Sequence, residues 1–297
     1  MRTWSQKERD LWKDTQRVKR SYQNDIVSQL ENLQNNFTVS EYGSLDYDES
    51  SYPLYLIQSK LSDPTRPNIL ITGGVHGYET SGAHGALLFM RDVALKYEQD
   101  FNFFCAPCIS PWGYETINRW NPKALDPNRN FYKNSPAKEC ELIFNKLENL
   151  NVNFLAHFDL HETTDTDNTV FRPLLEKRDG IAQEVWDIPD GFYLVGDAGR
   201  IEHSFQASII KEVKKVTHIA PPDKDGKIIG VNISGEGVIN YDVKKLFLCA
   251  GLTDAKYVTT TEVYPDSKKI TEQECNQAQV AAIIGGLEYL KNKNITE

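Results

Sequence analysis

Residues 68–90 read NILITGGVHGYETSGAHGALLFM. The apolar run Ile69, Leu70, Ile71 ends in Gly73-Gly74 and is followed by His76-Gly77-Tyr78-Glu79. Beyond Ser81-Gly82, an Ala/Leu-rich segment has helical character. The pattern predicts strand, tight turn and helix, with a histidine and a glutamate at the turn. In open α/β sheets, function collects at the carboxyl ends of the strands. An imidazole and a carboxylate three residues apart at such a turn can face one metal ion. Taken singly, His76 is a turn histidine, and H-x-x-E is a common spacing.

Working outward, strand-like and helix-like stretches alternate. Residues 101–110 and 153–160 are apolar strands, residues 137–150 are helical, and residues 257–264 (YVTTTEVY) are β-branched. Residues 201–216 are also helical in pattern. A final helix opens at Thr271, with Glu274 placed for a capping box. Upstream, residues 5–35 carry Trp12, Tyr22, Ile26, Leu30 and Leu33 at helical spacing. Residues 37–47 and 52–59 read as an antiparallel pair at a sheet edge. Residues 163–200 read as an insertion around the site entrance, residues 221–240 as turns and short strands, and residues 245–250 as a short apolar run. Alternation of this kind predicts an α/β sandwich with a largely parallel central sheet. There is no internal repeat, so residues 1–297 are expected to form one catalytic domain. Residues 1–50 would supply an N-terminal helix and an edge strand packed on it.

The chain has 297 residues, 40% of them hydrophobic, enough for a large core. Its formal net charge of −9 argues against nucleic acid, which calls for a basic footprint. No apolar run approaches the roughly 20 residues that span a bilayer, and residues 1–20 contain no apolar leader segment. The five cysteines are odd in number and scattered. Cys105 and Cys108 have C-x-x-C spacing but lie in an apolar strand, so they are expected to be core thiols. The cysteines fit a reducing, cytoplasmic setting.

A catalytic zinc site takes three protein ligands and keeps a position open. His76 and Glu79 offer two, and His161, at the end of strand 153–160, is the obvious third. His157 and His161 would be a ligand pair on a helix. On a strand His157, Asp159 and His161 share a face, which makes His157 a packed residue and lets Asp159 steer an imidazole. A second metal on Asp159, Glu162 or Asp165 is a less favoured arrangement. The polar segment 115–136 contributes Arg119, Asn128 and Arg129, which are either an anion pocket or solvated loop cations. Glu262 lies within an apolar strand, where an unpartnered carboxylate is costly. It faces a site as a general base or faces solvent at an edge, and Glu236 is the fallback.

In order, His76-x-x-Glu79, Arg119, Asp126-Pro127-Asn128-Arg129-Asn130-Phe131, His161 and Glu262 resemble the zinc carboxypeptidase family. Pro111-Trp112-Gly113-Tyr114 resembles that family's Asn-Pro-Asp-Gly-Tyr turn. The resemblance implies a three-layer α/β/α sandwich with a mixed, mostly parallel sheet, and one Zn²⁺ on His76, Glu79 and His161. It implies that Arg119 stabilises the oxyanion, that Asn128 and Arg129 grip a terminal carboxylate, and that Glu262 is the base. It also implies hydrolysis of a peptide's C-terminal bond. Pro127 departs from the family's usual Leu, and Asp159-Leu160-His161-Glu162 resembles the aspartoacylase and succinylglutamate desuccinylase branch, which deacylates N-acyl amino acids. The alternative of another class is a metal-free binding homologue. The substrate-capping tyrosine could be Tyr193, Tyr241 or Tyr257.

Overall fold

The structure is a computed structural model that describes residues 3–47 and 50–294. In chain order its elements are α1 (Gln6–Thr15), α2 (Ser28–Leu33), β1 (Phe37–Tyr47), β2 (Ser50–Ser59), β3 (Asn68–Gly73), α3 (Thr80–Asp92), β4 (Asn102–Ala106), α4 (Pro111–Thr116), α5 (Lys138–Leu150), β5 (Phe154–Glu162), α6 (Arg172–Asp179), β6 (Tyr193–Asp197), α7 (His203–Val213), β7 (Lys227–Ile228), β8 (Val231–Asn232), β9 (Val238–Tyr241), β10 (Tyr257–Val263) and α8 (Glu272–Asn294). Eight strands form one sheet in the order β1-β2-β4-β3-β5-β10-β6-β9, and β7 and β8 make a separate small hairpin. The centre, β4-β3-β5-β10, is parallel. β1, β2 and β4 pair antiparallel, as do β10 and β6.

The central strands are buried on both faces, which is why they read as continuous apolar runs. Successive side chains still separate by face. Ile69 and Ile71 join Ala83, Leu87, Phe158, Phe205 and Leu287 under α3, α7 and α8. Leu70 points the other way, into a second core with Phe104, Cys140, Ile143 and Leu147 of α5. The result is the expected three-layer α/β/α sandwich. Thr271 and Glu274 form the expected capping box at α8: each accepts the other's backbone N–H, at 3.3 and 2.8 Å. All five cysteines are free and buried. No helix among the described residues is long and apolar enough to cross a membrane.

Three stretches differ from the sequence reading. Residues 5–35 are not one helix: after α1 the chain turns extended at Gln16, and a π-helical turn (Gln23–Val27) leads into α2. Tertiary contacts break the periodic run there. Lys19 N–H donates to the Glu115 carbonyl, and the Arg20 guanidinium donates to the Gly77 and Tyr114 carbonyls and the Thr80 hydroxyl. Within 163–200, β6 is a fully buried strand whose five-residue length and Gly/Asp flanks hide it in the sequence. Residues 245–250 form loop and turn, with Leu246 and Phe247 exposed and Phe247 at φ 54°.

β3 connects through α3 to β4 on one side, and the chain returns as β5 on β3's other side. The carboxyl ends of β3 and β5 therefore flank the point where strand order reverses, the usual place for a crevice. Phe158 of β5 holds this centre together, with no exposed surface and its ring against Phe205 and Gly286. Phe158→Ala should lower the unfolding free energy by about 3–5 kcal/mol, read from denaturant titration, whereas a loss below about 1 kcal/mol would place this ring outside the core.

Candidate metal centre and cleft

β3 stops at Gly73, and the following turn is held by its own backbone and by its neighbours. Ser110 Oγ donates to the Val75 carbonyl, Tyr78 N–H to Asn118, and Glu79 N–H to His76. Gly77 lies so close to the Gly113–Tyr114 peptide that a Cβ would come within 1.9 Å of its atoms. That contact locks the turn against α4. Glu79 occupies the N-cap position of α3. His161 arrives from β5, in register with Glu262 of β10.

These segments bring His76, Glu79 and His161 together, with one potential ligand atom from each lying within 4.8 Å of the others. His76 Nδ1 is 2.6 Å from Glu79 Oε1, and His161 Nδ1 is 2.8 Å from Oε2. Both imidazoles turn their other nitrogen to a carboxylate. His76 Nε2 is 2.9 Å from Asp126 Oδ1, and His161 Nε2 is 3.0 Å from Asp159 Oδ2. With Nε2–H directed at those acids, each Nδ1 can offer a lone pair to the space beside Glu79. Glu79 Oε2 is buried and makes no hydrogen bond despite its closeness to His161. A buried carboxylate oxygen without a partner, facing two imidazole nitrogens, suits a cation.

The electrostatics agree. Burial alone would raise the Glu79 pKa, but His161 and His76 outweigh it and bring it down to about 2. Asp126 is likewise held far below the usual carboxylate range: burial opposes this, and Arg119 and His76 overcome it. Asp159 is steadied on its other oxygen by Thr72 Oγ1, 2.8 Å away.

His76 and Glu79 of the trio line a cleft of about 710 Å³, together with Arg119, Asn128, Arg129, Tyr241 and Glu262. Arg119 donates to Asp126 (3.1 Å), Asp167 (3.0 Å) and Tyr78 Oη (3.2 Å). Asn128 Oδ1 accepts the Cys249 N–H at 2.7 Å, tying the loop before β10 to the site. The exposed side chain of Arg129 lines the cleft, and its hydrogen bond goes to the adjacent Asn128 carbonyl at 2.6 Å. Among the described residues no carboxylate pairs with it. Glu262 Oε2 accepts from Thr163 Oγ1 at 2.7 Å. Burial, helped by Glu79, pushes Glu262 up to about 7 against the opposing influence of His161.

The remaining candidates separate cleanly. His157 is packed behind the site, with Nε2 2.8 Å from Thr72 Oγ1, and burial lowers its pKa to about 4. Glu162 accepts the Thr80 and Ser81 N–H groups at the start of α3. Asp165 accepts from Tyr264. Among the described residues neither joins Asp159 in a group able to hold a metal; the group that contains Asp159 is completed by His157 and Cys249. Glu236 is an exposed partner of Lys214 and does not line the cleft. Tyr257 packs on Phe205 and Tyr289, Tyr193 Oη is tied to Thr163, and Tyr241 faces the cleft. Sequence reasoning assigned no role to Asp126 itself, although it lies inside the DPNRNF motif. Asp167, in an ordinary polar loop, gave no signal.

The family model described as zinc carboxypeptidase (peptidase M14) matches residues 50–168. That segment contains His76, Glu79, Arg119, Asn128, Arg129 and His161 and ends before Glu262. No curated protein matches the chain. Among solved structures, a protein from Shewanella amazonensis provisionally assigned as a metallopeptidase is 19% identical with a TM-score of 0.67, over 89% of this chain and 90% of its own. A metallo-carboxypeptidase from Burkholderia cenocepacia is 14% identical with a TM-score of 0.63, over 90% of this chain and 68% of its own. A metallo-carboxypeptidase from Pseudomonas aeruginosa, solved with (2-guanidinoethylmercapto)succinic acid, is 11% identical with a TM-score of 0.59, over 89% and 68%. In motif order, in family match and in fold, the chain is zinc carboxypeptidase-like.

Because Asp159 orients His161, Asp159→Asn should weaken zinc binding roughly 10–100-fold in competition with a chelator. Unchanged affinity would show that the outer carboxylate does not act on the imidazole.

Proposed function

We propose that the protein is a zinc-dependent hydrolase that removes the C-terminal residue of a peptide, with the described residues working as one catalytic unit. The observation that carries this reading is a cleft lined by His76 and Glu79 of the His76–Glu79–His161 trio and by Arg129, a guanidinium with no carboxylate partner among the described residues. A cleft-lining guanidinium of that kind suits a ligand carboxylate, which Arg can take in a bidentate grip.

His76, Glu79 and His161 would hold the ion. A bound Zn²⁺ supplies Lewis acidity toward a carbonyl oxygen and lowers the pKa of water. Glu262, raised to about 7 chiefly by burial, is matched to accept a proton from water and return it to the leaving nitrogen. Arg119, held in place by Asp126, Asp167 and Tyr78, sets positive charge beside the position of the carbonyl oxygen. Arg129 fixes the terminal carboxylate and so sets which bond is placed for attack. Tyr241 lines the cleft, whereas the Tyr193 hydroxyl is engaged by Thr163 and Tyr257 is packed among aromatic rings, which supports Tyr241 as the side chain that closes on substrate. Five free, buried thiols support a cytoplasmic location.

The rival amidohydrolase reading keeps the same machinery and differs only in substrate. Zinc-loaded protein offered blocked dipeptides beside N-acetyl and N-succinyl amino acids should cleave the dipeptides faster; a reversed preference would transfer the assignment. The metal-free binding homologue predicts no cleavage of either set and no zinc uptake.

Glu262→Gln should retain zinc while turnover falls at least about 10²-fold. Full activity in that variant would remove Glu262 from the mechanism. Arg129→Ala should raise KM roughly 10–100-fold for substrates with a free carboxylate, since hydrogen bonds to charged groups contribute about 1.5–3 kcal/mol. Equal cleavage of C-terminally amidated peptides by the unaltered protein would contradict the clamp.

A further inference from the structure

The cleft holds more positive charge than one carboxylate requires. Five arginines line it: Arg9, Arg119, Arg129, Arg172 and Arg178. Its acids are already engaged. Asp126 and Asp167 pair with Arg119, Asp179 pairs with Arg178, Glu79 serves the two imidazoles, Glu162 caps α3 and Glu262 is held by Thr163. Arg9 spends its hydrogen bonds on the Lys123 and Ala124 carbonyls at the cleft edge. Arg9, Arg129 and Arg172 are thus without a carboxylate among the described residues, and Arg9 is held at the cleft edge by its two carbonyls.

Arg172 is held in a prepared seat. Its Nη1 donates to the Glu184 carbonyl at 2.6 Å, and its guanidinium lies over the Trp186 ring at 4.4 Å. Its Nε is buried with no partner. Trp186 is fixed in turn. Its carbonyl accepts from Asn168 Nδ2 at 2.6 Å, and its indole lies against Gly230, where a Cβ would come within 2.4 Å of the ring nitrogen. The segment between β5 and β6 and the β7–β8 hairpin thus combine to aim one guanidinium into the cleft. Arg129 and Arg172 both bear on the Tyr241 hydroxyl, where they oppose the effects of burial and of Glu262. Two guanidiniums facing one cleft without counter-charge repel each other, and a cation–π seat stabilises but does not neutralise. Val195, Ile229 and Leu248 add an aliphatic wall suited to methylene groups.

We infer that the terminal residue of the substrate is acidic, an aspartate or glutamate whose main-chain carboxylate goes to Arg129 and whose side-chain carboxylate goes to Arg172. This rests on the carboxypeptidase reading for the orientation of the substrate and makes Arg172 the specificity-determining residue. It also accounts for an acidic chain that concentrates arginines around a single cleft.

Titration calorimetry of the zinc-loaded full chain with L-glutamate and L-glutamine tests this without turnover. Glutamate should bind at least roughly tenfold more tightly than its uncharged isostere, in line with a charge-assisted pair. Arg172→Gln should abolish the difference and Arg172→Lys should retain part of it. Equal binding of the two amino acids by the unaltered protein overturns the inference, as does a preference that survives Arg172→Gln. Acetyl-Ala-Glu, acetyl-Ala-Gln and acetyl-Ala-Phe then separate the two levels of the argument. Cleavage of all three at similar rates sinks the acidic preference and spares the carboxypeptidase reading. Tight, Arg172-dependent glutamate binding with no cleavage of any of them upholds the acidic preference and sinks the peptidase reading.

Discussion

A single carboxylate, Glu79, sits between the Nδ1 atoms of His76 and His161 where there is almost no water. Three such groups are not gathered in a protein interior without compensation. Here it comes from Asp126 and Asp159, which hold the far sides of the two rings, and from Arg119, which balances Asp126. The arrangement leaves one oxygen of Glu79 unsatisfied, and a cation shared with the imidazoles would satisfy it. The surrounding architecture can be understood as the means of holding these groups in place.

The sheet does most of that holding. β3, β5 and β10 run parallel, so their carboxyl ends lie along one edge. His76 follows the end of β3, His161 nears the end of β5, and Glu262 pairs with His161 across the ladder. Strand order reverses at β3 and β5, so the chain leaves a crevice there. The turn after β3 fits only because Gly77 lets α4 approach. Burial then sets the chemistry. The same desolvation that lifts Glu262 to about 7 is overcome at Glu79 by two imidazoles, and these carboxylates diverge in the way expected of a base and a ligand.

The central layer and the meeting of His76, Glu79 and His161 were legible because local sequence determines them. An apolar run ending in Gly-Gly, a strand ending in His-Glu and a glutamate inside a β-branched run each mark a strand end or a buried charge. The paired edge strands and the α8 cap followed from alternation and capping chemistry. What was hidden depends on contacts between distant segments. The N-terminal run satisfies a helical period, but Arg20 is drawn to the turn after β3, and the helix breaks. β6 is too short and too flanked by Gly and Asp to stand out. Nothing near Arg172 or Trp186 in sequence announces that they meet, or that Gly230, far along the chain, makes room for the indole. Likewise Asp126 was visible within a motif, while its bond to an imidazole 50 residues away was not.

Anomalous diffraction at the zinc edge, on crystals of zinc-loaded protein, tests the central claim most directly. One peak should appear about 2.0–2.2 Å from His76 Nδ1, from His161 Nδ1 and from a Glu79 oxygen. A fully loaded crystal with no peak there, or with the ion bound only elsewhere, would contradict the account.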